Sequence, residues 1–271
     1  MAPDLYIALG LGLAVGSILA LTGAGGAILA VPLLVFGLGL GVAEAAPIAL
    51  LAVALAASVG ALMGFRCGIV RYKAAMVMSG FGLCLSPLGI WAAAHIANRP
   101  LAAIFSIVLF YVSVNMYRQA HRELRGIKAE SHAGTPCQID ETRGKLAWTL
   151  PCFRAMVLSG ITAGFLSGLL GVGGGFVIVP ALRKVTNLPI RSIIATSLAV
   201  ITLVSLGGVI GSSLAGSMDW AIAIPFAAGA FAGMLGGRAI GEKLRGPRLQ
   251  QAFAVFAFAV AASMLIKALL S

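Results

Sequence analysis

The chain has 271 residues, of which 60% are hydrophobic and only 10% charged, with 35 glycines and a formal net charge of +11; its mean hydropathy is +1.04. That is too little polar surface to cover a water-soluble globule, so the composition excludes a soluble enzyme or binding module and predicts an all-α integral membrane protein. The excess of positive charge does not point to nucleic acid, because the basic residues are strung along loops between apolar runs, where membrane topology accounts for them.

In chain order, the first apolar segment, 5–21, has no basic leader and no small-residue cleavage site, so it is expected to be retained rather than removed as a signal peptide. A glycine cluster, Gly23-Ala24-Gly25-Gly26, follows, and then a second apolar segment, 27–40, containing Pro32. Full spans are expected at 43–65, 74–93 and 101–117. The polar stretch 119–152, with His121, His132 and Pro136, reads as a solvated basic linker. Beyond it the order repeats: an apolar segment at 156–170, the cluster Gly171-Val172-Gly173-Gly174, a segment at 176–185 containing Pro180, and spans at 192–214, 220–235 and 249–270.

The repetition extends to single residues. The offset that carries Gly23 onto Gly171 and Pro32 onto Pro180 also carries Gly12 onto Gly160, Gly16 onto Gly164, Leu50 onto Leu198, Gly60 onto Gly208, Phe110 onto Phe258 and Met116 onto Met264, without a gap. The chain is a duplication, with repeats at 1–118 and 153–271. An apolar helix broken at the same place in both halves is the sequence pattern of a substrate site in secondary transporters.

Charge placement separates two topologies. If each glycine-broken segment is a hairpin that returns to the side it entered, each half has a hairpin plus three spans and the halves are inverted. Arg66, Arg71 and Lys73, the linker cluster, Arg183, Lys184 and Arg191, and Arg238, Lys243, Arg245 and Arg248 then share one face, leaving only Arg99 and Lys267 opposite. That is the positive-inside distribution, with the basic face cytoplasmic and the protein in the inner (cytoplasmic) cell membrane. The alternative, four plus four parallel spans, needs 5–40 as one helix of about 54 Å, well beyond a hydrocarbon core of about 30 Å. Whether the hairpins cross fully stays open. Cys67, Cys84, Cys137 and Cys152 show neither CxxC spacing nor a metal pattern; they are expected as free thiols, three of them on the cytoplasmic side, where disulfides are rare. No cofactor, metal or catalytic constellation is expected.

Where a helix restarts after Gly-x-Gly-Gly, its first amides lack intrahelical partners and carry about half a positive charge between them, so such an end attracts anions. Glycine suits the break because it tolerates unusual dihedrals and lets a ligand approach the backbone. In an inverted pair the two restarts converge near the midplane, and the candidate contacts are the backbone of Gly23, Gly25, Gly26 and Ala27, the backbone of Gly171, Gly173, Gly174, Gly175 and Phe176, and the hydroxyls of Thr22, Thr196 and Ser197. The competing structural explanations are close helix packing for Gly12, Gly16, Gly160, Gly164 and Gly168, and a bond to a backbone carbonyl one turn back for Thr196 and Ser197. Ser58, Ser86, Asn115 and Ser205 are weaker candidates.

The stretch 160–180, GITAGFLSGLLGVGGGFVIVP, followed by Ala195-Thr196-Ser197-Leu198 and echoed by 12–32, resembles the signature of the sulfite exporter TauE/SafE family of membrane permeases. The resemblance covers the whole chain and implies transport, often export, of small sulfur-containing anions such as sulfite, sulfoacetate or related organosulfonates. The first half departs from the stronger motif at Ala27, where the second has Gly175, and at Pro47-Ile48-Ala49, where the second has Ala195-Thr196-Ser197, so the half-sites are expected to be unequal. The expected function is a non-enzymatic secondary transporter of a small anion working by alternating access; an anion channel, or a permease for another small organic anion, is the alternative.

Overall fold

The computed structural model describes residues 2–125, 137, 139–140, 145–146, 148–244 and 246–270; Lys128, His132, Pro136, Arg143 and Arg245, assigned above to loops, lie outside them. The described helices are α1 (Ala2–Thr22), a 3-10 segment (Gly23–Leu29), α2 (Ala30–Gly37), α3 (Val42–Arg66), α4 (Tyr72–His95), α5 (Asn98–Leu124), α6 (Leu150–Leu170), α7 (Gly175–Val185), α8 (Ile190–Leu214), α9 (Trp220–Leu244) and α10 (Pro247–Leu270). Among the described residues, 8 helices are long and apolar enough to cross a membrane. Helices are the expected solution, because each span satisfies its own amides and carbonyls where no water can.

The broken segments are asymmetric hairpins. Helices α1 and α6, with 21 residues each, rise about 31 Å and cross alone. Their returning arms are short: α2 has 8 residues and α7 has 11, about 12 and 16 Å. Gly37 at the end of α2 lies against Leu11 of α1, so the second arm folds back along the first. Among the described residues the structure therefore combines eight helices of spanning length with a reversal at each break, and residues 5–40 form no single helix of about 54 Å.

Helix directions follow from the contacts. Gly12 meets Phe226 and Ala230, Gly16 meets Ala230 and Met234, and Gly237 meets Ser17, so α1 and α9 run parallel. The repeat offset maps this pair onto α6 and α4, which also run parallel, with Gly160 against Met78, Gly164 against Gly82 and Gly168 against Ser86. The equivalent helices α3 and α8 run antiparallel, because Gly60 touches Leu198, Gly64 touches Ala195 and Gly208 touches Leu50. Helices α5 and α10 do the same, with Phe110 against Phe258 at a ring separation of 4.9 Å and His121 beside Gln251. This approximate two-fold relation, with its axis across the helices, is compatible with inverted repeats. The α1/α9 and α4/α6 seams consist of glycines against bare backbone, which brings the helices closer than any larger residue allows.

The described basic residues Arg71, Arg183 and Arg238 lie at one end of the bundle. There Arg71 N donates to Thr196 Oγ1 at 3.0 Å, Arg238 Nη1 reaches Met63 Sδ at 3.0 Å, and Arg183 pairs with Glu123 at 3.2 Å. At the other end, Lys267 stands over the Phe36 ring, 5.5 Å from its centroid, and Asn98 Oδ1 accepts from Val42 N at 2.8 Å beside Arg99.

One expectation is corrected. Cys137 and Cys152 form a disulfide, with Cα atoms 4.8 Å apart, while Cys67 and Cys84 are free and exposed. The linker turns back through a two-stranded ribbon, Ile139–Asp140 with Lys145–Leu146, and Cys137 N donates to Val185 O at 3.0 Å. That return, invisible in the spacing, sets Cys137 beside the start of α6.

Two outcomes are expected from this arrangement. Gly164→Val drives a branched side chain into the Gly82 backbone and should lower unfolding stability in detergent by about 3 kcal/mol, at the upper end for overpacked sites. Gly10→Ala, with open space around it, should stay within about 0.5 kcal/mol; equal losses for both would contradict the seam. The charge distribution also predicts that a membrane-impermeant maleimide labels Cys67, on the basic end, only from the cytoplasmic side. Labelling from outside would reverse the orientation and place the Cys137–Cys152 bridge in an oxidising compartment.

Candidate functional site

Gly171 ends α6 with φ +72°, and its amide donates to Ser167 O at 2.9 Å. Gly173 and Gly174 follow at φ +69° and +70°. Three left-handed residues in four positions explain the glycine run, since an L side chain adds roughly 1–2 kcal/mol at each. Gly174 caps α7, and its carbonyl accepts from Val177 N at 3.0 Å and Ile178 N at 3.2 Å. Hydrogen bonding within α7 therefore begins at Val177, and the amides of Gly175 and Phe176 stand ahead of it at the positive end of the helix dipole. No acidic residue in the first turn competes for that end.

This turn lies deep in the bundle. Gly173 sits against Val53 of α3 and against Ile201 and Ser205 of α8. Val53 and Ile201 lie near the middle of their 25-residue helices and correspond under the repeat offset, so the turn sits on the pseudo-two-fold axis. Residues 171–176 are all buried. The 3-10 segment of the first half packs against α7, which brings the two breaks together.

The first break is built differently. Gly23 has φ +74° and lies against Ile194; the chain then winds as a tight 3-10 coil to Leu29, with Gly26 against the backbone of Ile18 and Leu19 and with Ala27 buried. Gly25 is described only as part of that coil.

The candidate hydroxyls occupy structural roles. Thr22 Oγ1 donates to Ile18 O at 2.7 Å, Ser197 Oγ donates to Ile194 O at 2.8 Å, and Thr196 Oγ1 accepts from the Arg71 amide. Because α8 is antiparallel to α3, the Thr196–Ser197 end of α8 meets the Gly23 turn, and a residue further along, Ser205, meets Gly173. Ser205, Ser86 and Ser167 are buried with no hydrogen-bond partner for their hydroxyls. In the sequence, Ser86 and Ser205 are only isolated serines in apolar spans, and nothing in the pattern sets them or Ser167 apart.

Among the described residues, the buried polar side chains are serines and threonines only, and no cluster of metal-ligating side chains is present. The arrangement can hold a small polar or anionic solute through backbone amides and hydroxyls, out of contact with lipid. A multi-pass helical bundle with two broken helices meeting at a buried midpoint is a membrane transporter architecture. The sulfite exporter TauE/SafE family model matches residues 8–264, and the chain belongs to that family. The chain is 29% identical over 232 residues to a probable membrane transporter protein of Xylella fastidiosa (strain 9a5c), covering 85% of this chain and 82% of the relative. It is 27% identical over 245 residues to YunE of Bacillus subtilis, also called a probable membrane transporter protein, covering 87% and 88%. No solved structure matches the chain.

The turn geometry predicts a graded response to alanine. Gly216→Ala, at φ +68° with open space around it, carries the backbone penalty alone and should lower stability by about 1–2 kcal/mol. Gly171→Ala adds a collision with the Ala46 backbone and should lose about 1–3 kcal/mol more in the same unfolding assay. Indistinguishable losses would mean that the Gly171 turn is not packed as described.

Proposed function

We propose that the protein exports a small sulfur-containing anion, such as sulfite, sulfoacetate or a related organosulfonate, across the cytoplasmic membrane by alternating access between inverted halves. The observation that carries this reading is the buried turn Gly171–Phe176 at the centre of the bundle, where the N-terminal amides of α7 meet the broken segment of the first half. An N-terminus free of acidic residues and screened from water and lipid favours a negative solute. The family's printed description supplies the sulfur chemistry.

The scarcity of ionisable groups in the interior supports export as the direction. An anion leaving a negative-inside cell moves down the electrical gradient, a gain of about 2.3 kcal/mol per charge per 100 mV, so export needs no proton-carrying residue. Uptake would need a coupled cation, and the buried serines and threonines among the described residues offer no titratable group to carry a proton. Occlusion of the turn favours a carrier over an open pore.

The test is thermal stabilisation of detergent-purified protein by sulfite, thiosulfate, sulfate, sulfoacetate, taurine and acetate, in wild type and in Gly173→Leu, followed by counterflow in liposomes. One sulfur anion should raise the midpoint of the wild type selectively, with no response in the variant and with saturable exchange in vesicles. A folded wild type that responds to none of them would rule out the sulfur-anion reading, and unsaturable flux would make the protein a channel.

A further inference from the structure

We propose that Ser205, with Ser167 and Ser86, supplies the hydroxyl donors of the solute site, and that the site therefore lies on one side of the pseudo-two-fold axis alone. The inference rests on the anion-transport reading above and assigns its side-chain contacts. A serine inside an apolar helix ordinarily bonds to a carbonyl one turn back. Ser79, Ser106, Ser113, Ser159, Ser197, Ser213 and Ser263 all do so here. Ser86, Ser167 and Ser205 do not, although each is at most 1% exposed. A buried hydroxyl without a partner is unfavourable, so it marks a place where a partner is missing.

The placement of Ser205 indicates which partner. Its Oγ lies 2.7 Å from the point that a Cβ on Gly173 would occupy, at the turn that opens α7. The hydroxyl and the helix N-terminus thus point donors into the same neighbourhood. Ser167 sits in the last turn of α6, and its carbonyl holds the amide of Gly171. Ser86 lies where α4 meets α6 and α8, its carbonyl against Gly168 and its Oγ facing Gly208, one turn beyond Ser205.

The duplication provides an internal control. The repeat offset places Leu19 opposite Ser167, Ala57 opposite Ser205 and Met234 opposite Ser86, and all three are buried. Apolar residues thus satisfy the same packing on the other side of the pseudo-two-fold axis, and space-filling alone does not call for serine. The first break also keeps a 3-10 coil where the second presents an open helix N-terminus. Polarity and free amides are concentrated on one side of the pseudo-two-fold axis.

The experiment is a titration of the detergent-purified full chain with sodium sulfite and sodium sulfoacetate, against sodium chloride at equal ionic strength. It compares wild type, Ser205→Ala, Ser167→Ala, Ser86→Ala, the back-bonded control Ser213→Ala, and Gly173→Leu. Ser205→Ala should weaken binding of the stabilising anion about tenfold to a hundredfold, as expected for losing one hydrogen bond to a charged group. Its anion-free melting point should be unchanged or raised, because an unpaired hydroxyl has been removed; a purely structural serine would show the opposite. Ser167→Ala and Ser86→Ala should weaken binding in the same sense, while Ser213→Ala leaves it unchanged. If Gly173→Leu abolishes binding but the three serine variants keep wild-type affinity, this assignment is wrong and the anion-transport reading survives. If neither sulfur anion shifts wild type, both fail. Stabilisation by sodium chloride equal to that by the sulfur salts would be a non-selective salt effect and would overturn the proposal.

Discussion

The structure depends on one constraint: backbone that leaves helical geometry inside a membrane must be covered by protein, because the hydrocarbon offers no hydrogen-bond partner. Each half contains such a departure, at Gly23 and at Gly171–Gly174. Each half covers part of the other's. The second turn lies against Ala46 and Val53 of the first half, and the first lies against Ile194 of the second. This mutual cover explains why the antiparallel crossing of α3 and α8 is the most buried part of the bundle, with 61% and 67% of their most apolar windows inside, against 28% for α10.

The glycine seams serve the same constraint. Parallel pairing of α1 with α9 and of α6 with α4 clamps the long arm of each hairpin to a span of the other half at backbone contact distance. Lipid gives helices no hydrophobic reason to associate, so close packing of small residues supplies the attraction. The seams fix the height of each hairpin relative to α3 and α8, and thereby set the Gly171–Phe176 turn at mid-depth. Glycine thus has two separate uses here: absence of a side chain at Gly12, Gly16, Gly160, Gly164 and Gly168, and left-handed backbone at Gly171, Gly173 and Gly174.

A duplicated chain could have kept two equal breaks, and this one has not. The second break leaves free amides at an open helix start, while the first is wound into a 3-10 coil. The divergence at Ala27 against Gly175 foreshadows this in the sequence, since the glycine-richer copy is the one that opens. The hydroxyl partners were harder to read. Thr196 and Ser197 stand out as adjacent polar residues in an apolar span, yet Thr196 accepts from the Arg71 amide and Ser197 bonds to a carbonyl one turn back, and the antiparallel run of α8 carries them away from the second turn. Ser205 is isolated in the sequence and meets Gly173 only because two distant helices cross there.

Hydropathy, the glycine clusters and the repeat offset were enough to determine a helical membrane protein with a broken segment in each half, because span length and helix breaking are local properties of the chain. The gathering of basic ends on one face was legible for the same reason, since charge follows the order of the spans. Tertiary structure alone decided which helices pair, that each returning arm is short, that Cys137 reaches Cys152, and which hydroxyls lie unpaired beside the glycine turn. Those outcomes depend on contacts between residues far apart in sequence, where spacing along the chain carries no information about distance in space.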